Sequence, residues 1–245
     1  MNTKTIRVLF VEDNKFDQMA FERLVDFDKL PYDYTLSSSK AETEEHLASK
    51  VFDVIIADYY LGDATAFDLM QAAADIPLII ITGLGDEDIA VKAMKEGAFD
   101  YLVKDVENNY LKVLPIVIEK AIKRKQVEEK YRMLSHALMC IHDSIYITDV
   151  NDTIIFVNKS FCKNYGFTDG EIIGQPSRIL WKNDNQNAKD MKKVISEIDE
   201  YGWKSQVTHQ RKDGTEFPIY LSRSIILDDK GQELAVVGVA HKINP

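Results

Sequence analysis

The chain is 245 residues long and 45% hydrophobic, with 30 Lys plus Arg against 40 Asp plus Glu and a formal net charge of -10. That length holds one or two domains with cores of ordinary size, and the acidic balance argues against nucleic acid as a direct partner. Two cysteines, Cys140 and Cys162, with no CxxC pair and no histidine cluster at ligand spacing, give no basis for a disulfide framework or a structural zinc and fit a reduced cytoplasm.

The N-terminal "MNTKTIRVLF" carries too short an apolar run for a signal peptide, and no later stretch reaches the length of a membrane span. A cytoplasmic protein without membrane contact is expected. Charge divides the chain: residues 1–107 hold 10 basic and 22 acidic side chains, residues 108–130 hold six and three, and residues 131–245 hold 14 and 15. An acidic domain, a mildly basic junction and a near-neutral domain follow from that division.

Along the first part, the runs "IRVLFV" (6–11), "FDVIIA" (52–57) and "PLIIIT" (77–82) are β-branched and nearly uninterrupted, as strands covered on both faces tend to be. "YDYTLSS" and "DYLVK" are weaker strand candidates. The segments between them, such as "FDQMAFERLVDF" and "DEDIAVKAMKEGA", have helical periodicity, the second ending on Gly97. The alternation predicts a doubly wound α/β fold with a five-stranded parallel sheet.

Such sheets gather ligands at the carboxyl ends of their strands, where this sequence places Glu12 and Asp13, Asp58, Thr82 and Lys104. Three carboxylates brought together repel one another unless a cation intervenes. Mg2+ takes oxygen ligands and bridges carboxylates to phosphoryl groups, so it suits this set. Lys104 is then placed to neutralise a second phosphoryl oxygen and Thr82 to donate to a third, with Asp58 as the nucleophile of an in-line transfer.

The stretches "VLFVEDN", "VIIADYYLGD" and "ITGLGDEDIAVKAMKEGAFDYLVKD" resemble the receiver domain of two-component response regulators, over residues 1–125. The resemblance implies a flavodoxin-like fold, Asp58 as phosphoacceptor, and Mg2+ held by Glu12, Asp13, Asp58 and the Tyr60 backbone carbonyl. It also implies Thr82 and Tyr101 as a switch pair, and a sensor histidine kinase or phosphotransfer protein as the phosphoryl source. Two positions depart from the family pattern. Gly62 stands where such receivers usually carry a proline, with Ala66 as the small residue further on, and Asp105 follows Lys104 in place of the usual proline.

Residues 108–140 read as a connecting helix, with Pro115 in about its first turn, where proline is tolerated. Leu111, Leu114, Ile118 and Ala121 follow coiled-coil spacing, and Val127, Tyr131, Leu134, Leu138 and Ile141 repeat it in a shifted register. A parallel homodimer is the expectation, with the register break as a stutter. The alternative is that one stripe packs on the sheet of the first domain and the other covers the second.

Residues 140–245 alternate in the manner of an antiparallel sheet. "DSIYITDVNDTIIFVN" is a hairpin about an Asn-Asp turn, and three further strands are separated by "KDGT" and "DDKG". With "ITDVNDTIIFVNKSFCKNYGFTDGEIIGQ", "RKDGTEFPIYLS" and "VVGVAHKI", this half resembles a PAS sensory domain, an α+β fold, which implies ligand sensing or pairing. No flavin or haem is expected. The residues about Arg178 and Ile179 include no cysteine, Cys162 lies too early, and no axial histidine stands in 185–200. His209 and His241 read as strand residues that are satisfied or exposed rather than ligands, and Trp181 and Trp203 as core more than pocket lining.

The combined expectation is a phosphorelay protein that is not itself an enzyme: a receiver, a helical linker and a dimerising PAS module of unidentified ligand. The alternatives are a PAS ligand sensor with the receiver as scaffold, or the N-terminal part of a larger hybrid histidine kinase or nucleotide cyclase.

Overall fold

The computed structural model describes residues 5–62, 64–73, 75–83, 87–105, 107, 109–181 and 202–243. The chain divides into two compact units, Met1–Lys130 and Tyr131–Pro245. No helix among the described residues is long and apolar enough to cross a membrane.

The first unit is an α/β alternation. β1 (Ile6–Val11), β2 (Tyr32–Ser37), β3 (Val54–Asp58), β6 (Leu78–Thr82) and β7 (Asp100–Val103) form one sheet in the order β2-β1-β3-β6-β7, with every pairing parallel. Helices α1 (Lys15–Phe27), α2 (Lys40–Ser49), α3 (Met70–Ala73), α4 (Glu87–Glu96) and α5 (Asn109–Cys140) connect or follow the strands. The three apolar runs read from the sequence are the central strands β1, β3 and β6, and the weaker two are the edges β2 and β7.

Strand alternation sorts the core into two faces. Val8, Phe10, Val54, Ile56, Ile79 and Ile81 pack with Phe21 and Val25 of α1 and with the first turns of α5. Leu9, Val11, Ile55, Ala57 and Ile80 pack on the other side with Leu69, Ala73 and Ala93. Burying each of these branched side chains contributes about 1.5–3 kcal/mol, and Phe10 and Phe21 add a ring stack at 4.2 Å.

A short hairpin, β4 (Tyr60–Leu61) with β5 (Ala64–Thr65), follows Asp58. The expectations from sequence did not include it. Gly62 turns it at a φ of 66°, a conformation that proline cannot adopt and that suits glycine. The departure from proline at this position therefore has a local cause.

Helix α5 corrects the reading of the linker at two points. Pro115 lies inside the helix, in its second turn. Leu111, Leu114, Ile118 and Ala121 are buried in the core of the first unit, so they are not open to a second helix; packing against the sheet is what these positions do. The second stripe differs: Val127, Tyr131, Leu134 and Ile141 are exposed, Tyr131 by 76%.

The second unit is a five-stranded antiparallel sheet, β8 (Ser144–Thr148), β9 (Ile154–Val157), β10 (Trp203–Gln210), β11 (Glu216–Leu227) and β12 (Glu233–Lys242), ordered β10-β11-β12-β8-β9. Helices α6 (Lys159–Tyr165) and α7 (Asp169–Ile172) and a 3-10 turn at Ser177–Leu180 cover one face. Tyr146, Phe161, Tyr165, Leu180, Trp181, Ile219 and Leu221 form its core. Gly238 is required there, because a Cβ would stand 2.3 Å from Cζ of Tyr146.

Asn158 ties the end of α5 to this unit. Its buried amide nitrogen lies 3.3 Å from the Leu138 carbonyl, 3.2 Å from that of Ile141 and 2.8 Å from that of Asp143, while its oxygen accepts from the Phe161 and Ile145 backbone. The Leu138 carbonyl belongs to the last turn of α5, which has no further turn to bond it, and those of Ile141 and Asp143 to the residues just beyond the helix. The segment 185–200, where a haem-ligating histidine was sought, lies outside the described residues.

Candidate functional site

Strand register brings the polar residues of the first sheet to one edge. Val11 pairs with Ala57, Asp58 with Ile81 and Thr82 with Val103, so the strands end nearly level. Glu12 leaves β1, Asp58 and Thr82 close β3 and β6, and Lys104 follows β7, its backbone N–H donating to the Thr82 carbonyl at 2.7 Å.

Lys104 is the centre of the cluster. Its Nζ donates to Glu12 Oε2 at 2.7 Å, Asp58 Oδ2 at 2.7 Å and Asp17 Oδ2 at 2.9 Å. Burial works against its charge, but the bonds to Asp17, Asp58 and Glu12 outweigh that and hold its pKa above the ordinary value. Burial pushes the Glu12 carboxyl up to about 7; the Lys104 ammonium pulls it down and the Asp58 charge adds to the rise. A site with more carboxylates than cations thus keeps one acid poised near neutrality.

Carboxylate oxygens of Glu12, Asp13 and Asp58 lie within 4.8 Å of one another. Glu12 is buried, Asp58 partly so and Asp13 exposed, which leaves the group open on one side. Oxygen-only donors in a half-open cluster are what a hard divalent cation with retained waters requires.

The remaining expected residues stand as follows. Tyr60 is in β4, two residues beyond Asp58, with its side chain exposed. The Thr82 hydroxyl is buried and donates to the Gly83 carbonyl at 3.3 Å. Tyr101 sits on edge strand β7, paired with Ile80 and 37% exposed.

Asp17 was not among the residues singled out from the sequence. It belongs to the first turn of α1, whose Asn14 cap fixes the helix start just beyond β1. A first-turn side chain there faces the same edge as Glu12, and that rule could have found it. Tyr110, in the first turn of α5, was missed too: its hydroxyl is buried with no hydrogen-bond partner among the described residues, and burial with the charges of Asp17, Glu12 and Asp58 raises its pKa.

Residues 8–114 match the family model of the response regulator receiver domain, and residues 142–244 match that of the PAS domain. The chain joins a response regulator receiver domain to a PAS domain. The chain is 41% identical over 76 residues to the methanogenesis regulatory protein FilR1 of Methanothrix harundinacea, covering 29% of this chain and 17% of that one. It is 34% identical over 101 residues to the luminescence regulatory protein LuxO of Vibrio campbellii, covering 39% and 22%. The chain thus spans about a fifth of the length of these curated relatives.

Among solved structures, the PAS domain of a Colwellia psychrerythraea protein matches at 24% identity and a TM-score of 0.44, over 46% of this chain and 96% of that one. A Light-Oxygen-Voltage domain studied with a flavin analogue matches at 22% and 0.40, over 46% and 85%.

Within the PAS sheet, the strand histidines His209 and His241 are both engaged. His209 is buried, its Nδ1 2.7 Å from the Tyr165 hydroxyl, and Nδ1 of His241 lies 2.7 Å from Asp143 Oδ1. Burial, with the Arg223 charge added, pushes the His209 pKa down to about 3.

Proposed function

We propose that the receiver accepts a phosphoryl group on Asp58 and that this change is passed along α5 to the PAS domain. The carrying observation is that Asp58 Oδ2 lies 2.7 Å from Lys104 Nζ while its carboxylate shares a space of 4.8 Å with Glu12 and Asp13. A carboxylate beside a fixed cation and an oxygen-lined metal position is the arrangement that in-line phosphoryl transfer needs.

In this reading an oxygen of Asp58 attacks phosphorus and forms the acyl phosphate, and the bond from phosphorus to the donor breaks. The donor is a phosphohistidine of a sensor kinase or phosphotransfer protein, whose imidazole leaves. Glu12, Asp13, Asp58 and the Tyr60 carbonyl would hold Mg2+, which would supply positive charge at the phosphoryl oxygens. Lys104 turns from its carboxylates to a phosphoryl oxygen and holds the developing charge in place. The Thr82 hydroxyl leaves the Gly83 carbonyl for a third oxygen, and Tyr101, partly exposed on β7, turns inward into the room so made.

The exposed stripe Val127, Tyr131, Leu134 and Ile141 supports a homodimer through the distal half of α5 together with the PAS domain. Signal would then pass as a twist of paired helices. The reading includes no flavin or haem in the PAS domain; the residues beside Arg178 and Ile179 carry no thiol.

Incubation with acetyl phosphate and Mg2+, followed by intact-mass measurement, tests the transfer. One phosphoryl group should be gained by the wild type and none by Asp58→Ala. An equal gain on both would remove Asp58 from the mechanism.

A further inference from the structure

Among the described residues of the receiver, the Tyr110 hydroxyl is the only buried side-chain polar atom without a hydrogen bond. The residue is 4% exposed and belongs to the core that holds Phe21 and Leu114. Buried polar groups are ordinarily bonded, and an exception beside a reactive cluster asks for a cause.

Helix phase places this hydroxyl beside Asp17. Helices α1 and α5 each follow a strand of the parallel sheet, so both begin at its carboxyl edge. Asp17 stands one turn before Phe21 on α1, and Tyr110 one turn before Leu114 on α5; residues four apart share a helix face. Phe21, Tyr110 and Leu114 lie in one core, so the first turns of the two helices meet at that edge. Electrostatics agree: after burial, the charges that act most on Tyr110 are Lys104 and then Asp17, ahead of Glu12 and Asp58.

The junction before α5 is held at both ends. The Lys104 N–H donates to the Thr82 carbonyl at 2.7 Å, and Asp105 Oδ1 accepts from the Asn109 N–H at 2.7 Å. Asp105, in the place of the usual proline, thus fixes the start of α5 to the strand end that carries Lys104.

In this arrangement Lys104 draws Asp17 to itself at 2.9 Å, and among the described residues the Asp17 carboxylate accepts from nothing else. A phosphoryl group on Asp58 claims that ammonium. Glu12 and Asp58 then still share the oxygen cluster with Asp13, but Asp17 is outside it and loses its donor. A phenol hydroxyl is a donor, and Tyr110 has one unused.

We propose that Tyr110 is a positioning residue of the phosphorylated receiver: when Lys104 turns to the phosphoryl group, the Tyr110 hydroxyl donates to Asp17 in its place and ties the first turn of α5 to α1. The inference rests on phosphoryl acceptance at Asp58. A bare hydroxyl disfavours the unphosphorylated form, and its bond to a carboxylate favours the phosphorylated one. The helix so held is the one that runs on to Cys140, so the state of Asp58 is felt at the root of the linker.

Beryllofluoride, which takes the place of a phosphoryl group on a carboxylate, is the probe, titrated with Mg2+ onto the full chain and followed by fluorine NMR. Tyr110→Phe removes only an unbonded hydroxyl, so without the probe it should melt, by circular dichroism, at or above the wild type. It should need about tenfold more beryllofluoride for half-saturation. In an Asp17→Ala background the same substitution should move half-saturation by less than about twofold. Equal half-saturation in wild type and Tyr110→Phe, an equal shift in both backgrounds, or a probe-free loss of stability in Tyr110→Phe would overturn the inference. A bound signal absent from the wild type, or retained by Asp58→Ala, would instead overturn acceptance at Asp58, and this inference with it.

Discussion

Lys104 Nζ stands 2.9 Å from Asp17 Oδ2 and 2.7 Å from Asp58 Oδ2, so one ammonium serves an acid on α1 and the acceptor on β3 together. A phosphoryl group on Asp58 asks for the same ammonium. Asp17 therefore competes with the phosphorylated state, first by holding Lys104 and then by its own charge.

Replacing Asp17 with Asn should lengthen the life of the acyl phosphate. The Lys104 and Asp17 side chains are 19% and 23% exposed, and a partly solvated pair of this kind is worth about 1 kcal/mol, or roughly a fivefold change. Decay of the phosphorylated species, timed by intact mass after removal of acetyl phosphate, checks this. An unchanged or shorter half-life would show that Asp17 does not compete.

Lys104 also offsets the repulsion of Glu12, Asp17 and Asp58, so Lys104→Ala should destabilise the receiver in the absence of divalent metal. Removing one partner from a buried ion cluster costs about 3–5 kcal/mol. Millimolar Mg2+ should restore much of that loss by taking over the same carboxylates. Urea unfolding in EDTA and in Mg2+, followed by circular dichroism, gives the comparison; a Lys104→Ala protein that does not respond to Mg2+ would argue against metal on Glu12, Asp13 and Asp58.

The PAS domain should weaken in acid through His209. Its folded pKa, about 3, is below the ordinary 6.5, so the unfolded chain takes up the proton first. The stability linked to this group is present above pH 6.5 and is lost as pH falls towards 3, amounting to something on the order of 4 kcal/mol. Trp181 and Trp203, the two tryptophans of the chain, both belong to the PAS domain and report its unfolding alone. Urea midpoints by fluorescence should fall steadily between pH 6.5 and 4, and a flat profile would mean that His209 takes its proton without unfolding.

The two stripes of α5 should behave oppositely. Leu134→Lys, at an exposed position, should shift the chain from dimer to monomer in light scattering with little change in the melting of either domain. Leu114→Ala, in the receiver core, should cost about 2–5 kcal/mol of receiver stability and leave the mass unchanged. A monomeric wild type would remove the dimer from the account.

Most of the receiver was legible in the sequence because its signals are local. A β-branched run that ends in Asp58 or Thr82 reports both the strand and the edge it reaches. Asp17 was legible less directly: the Asn14 cap puts it in the first turn of α1 beside the strand edge, but its contact with Lys104 is a tertiary fact. The α5 stripe failed for a related reason: Leu111, Leu114, Ile118 and Ala121 have the spacing that suits either a partner helix or the chain's own sheet, and spacing does not tell the two apart. In the PAS domain the turns "KDGT" and "DDKG" announced the strands, but the place of Arg223 in the buried row with Gly238 and Tyr146 became visible only through strand register.

The account turns on the acyl phosphate of Asp58, and borohydride trapping tests it most directly. The chain is phosphorylated with acetyl phosphate and Mg2+, reduced, digested and sequenced by mass spectrometry. Reduction of an aspartyl phosphate leaves homoserine, and the account predicts that product at position 58 and at no other aspartate. Homoserine at Asp13 or Asp17, or none after treatment that phosphorylates a control receiver, would contradict it.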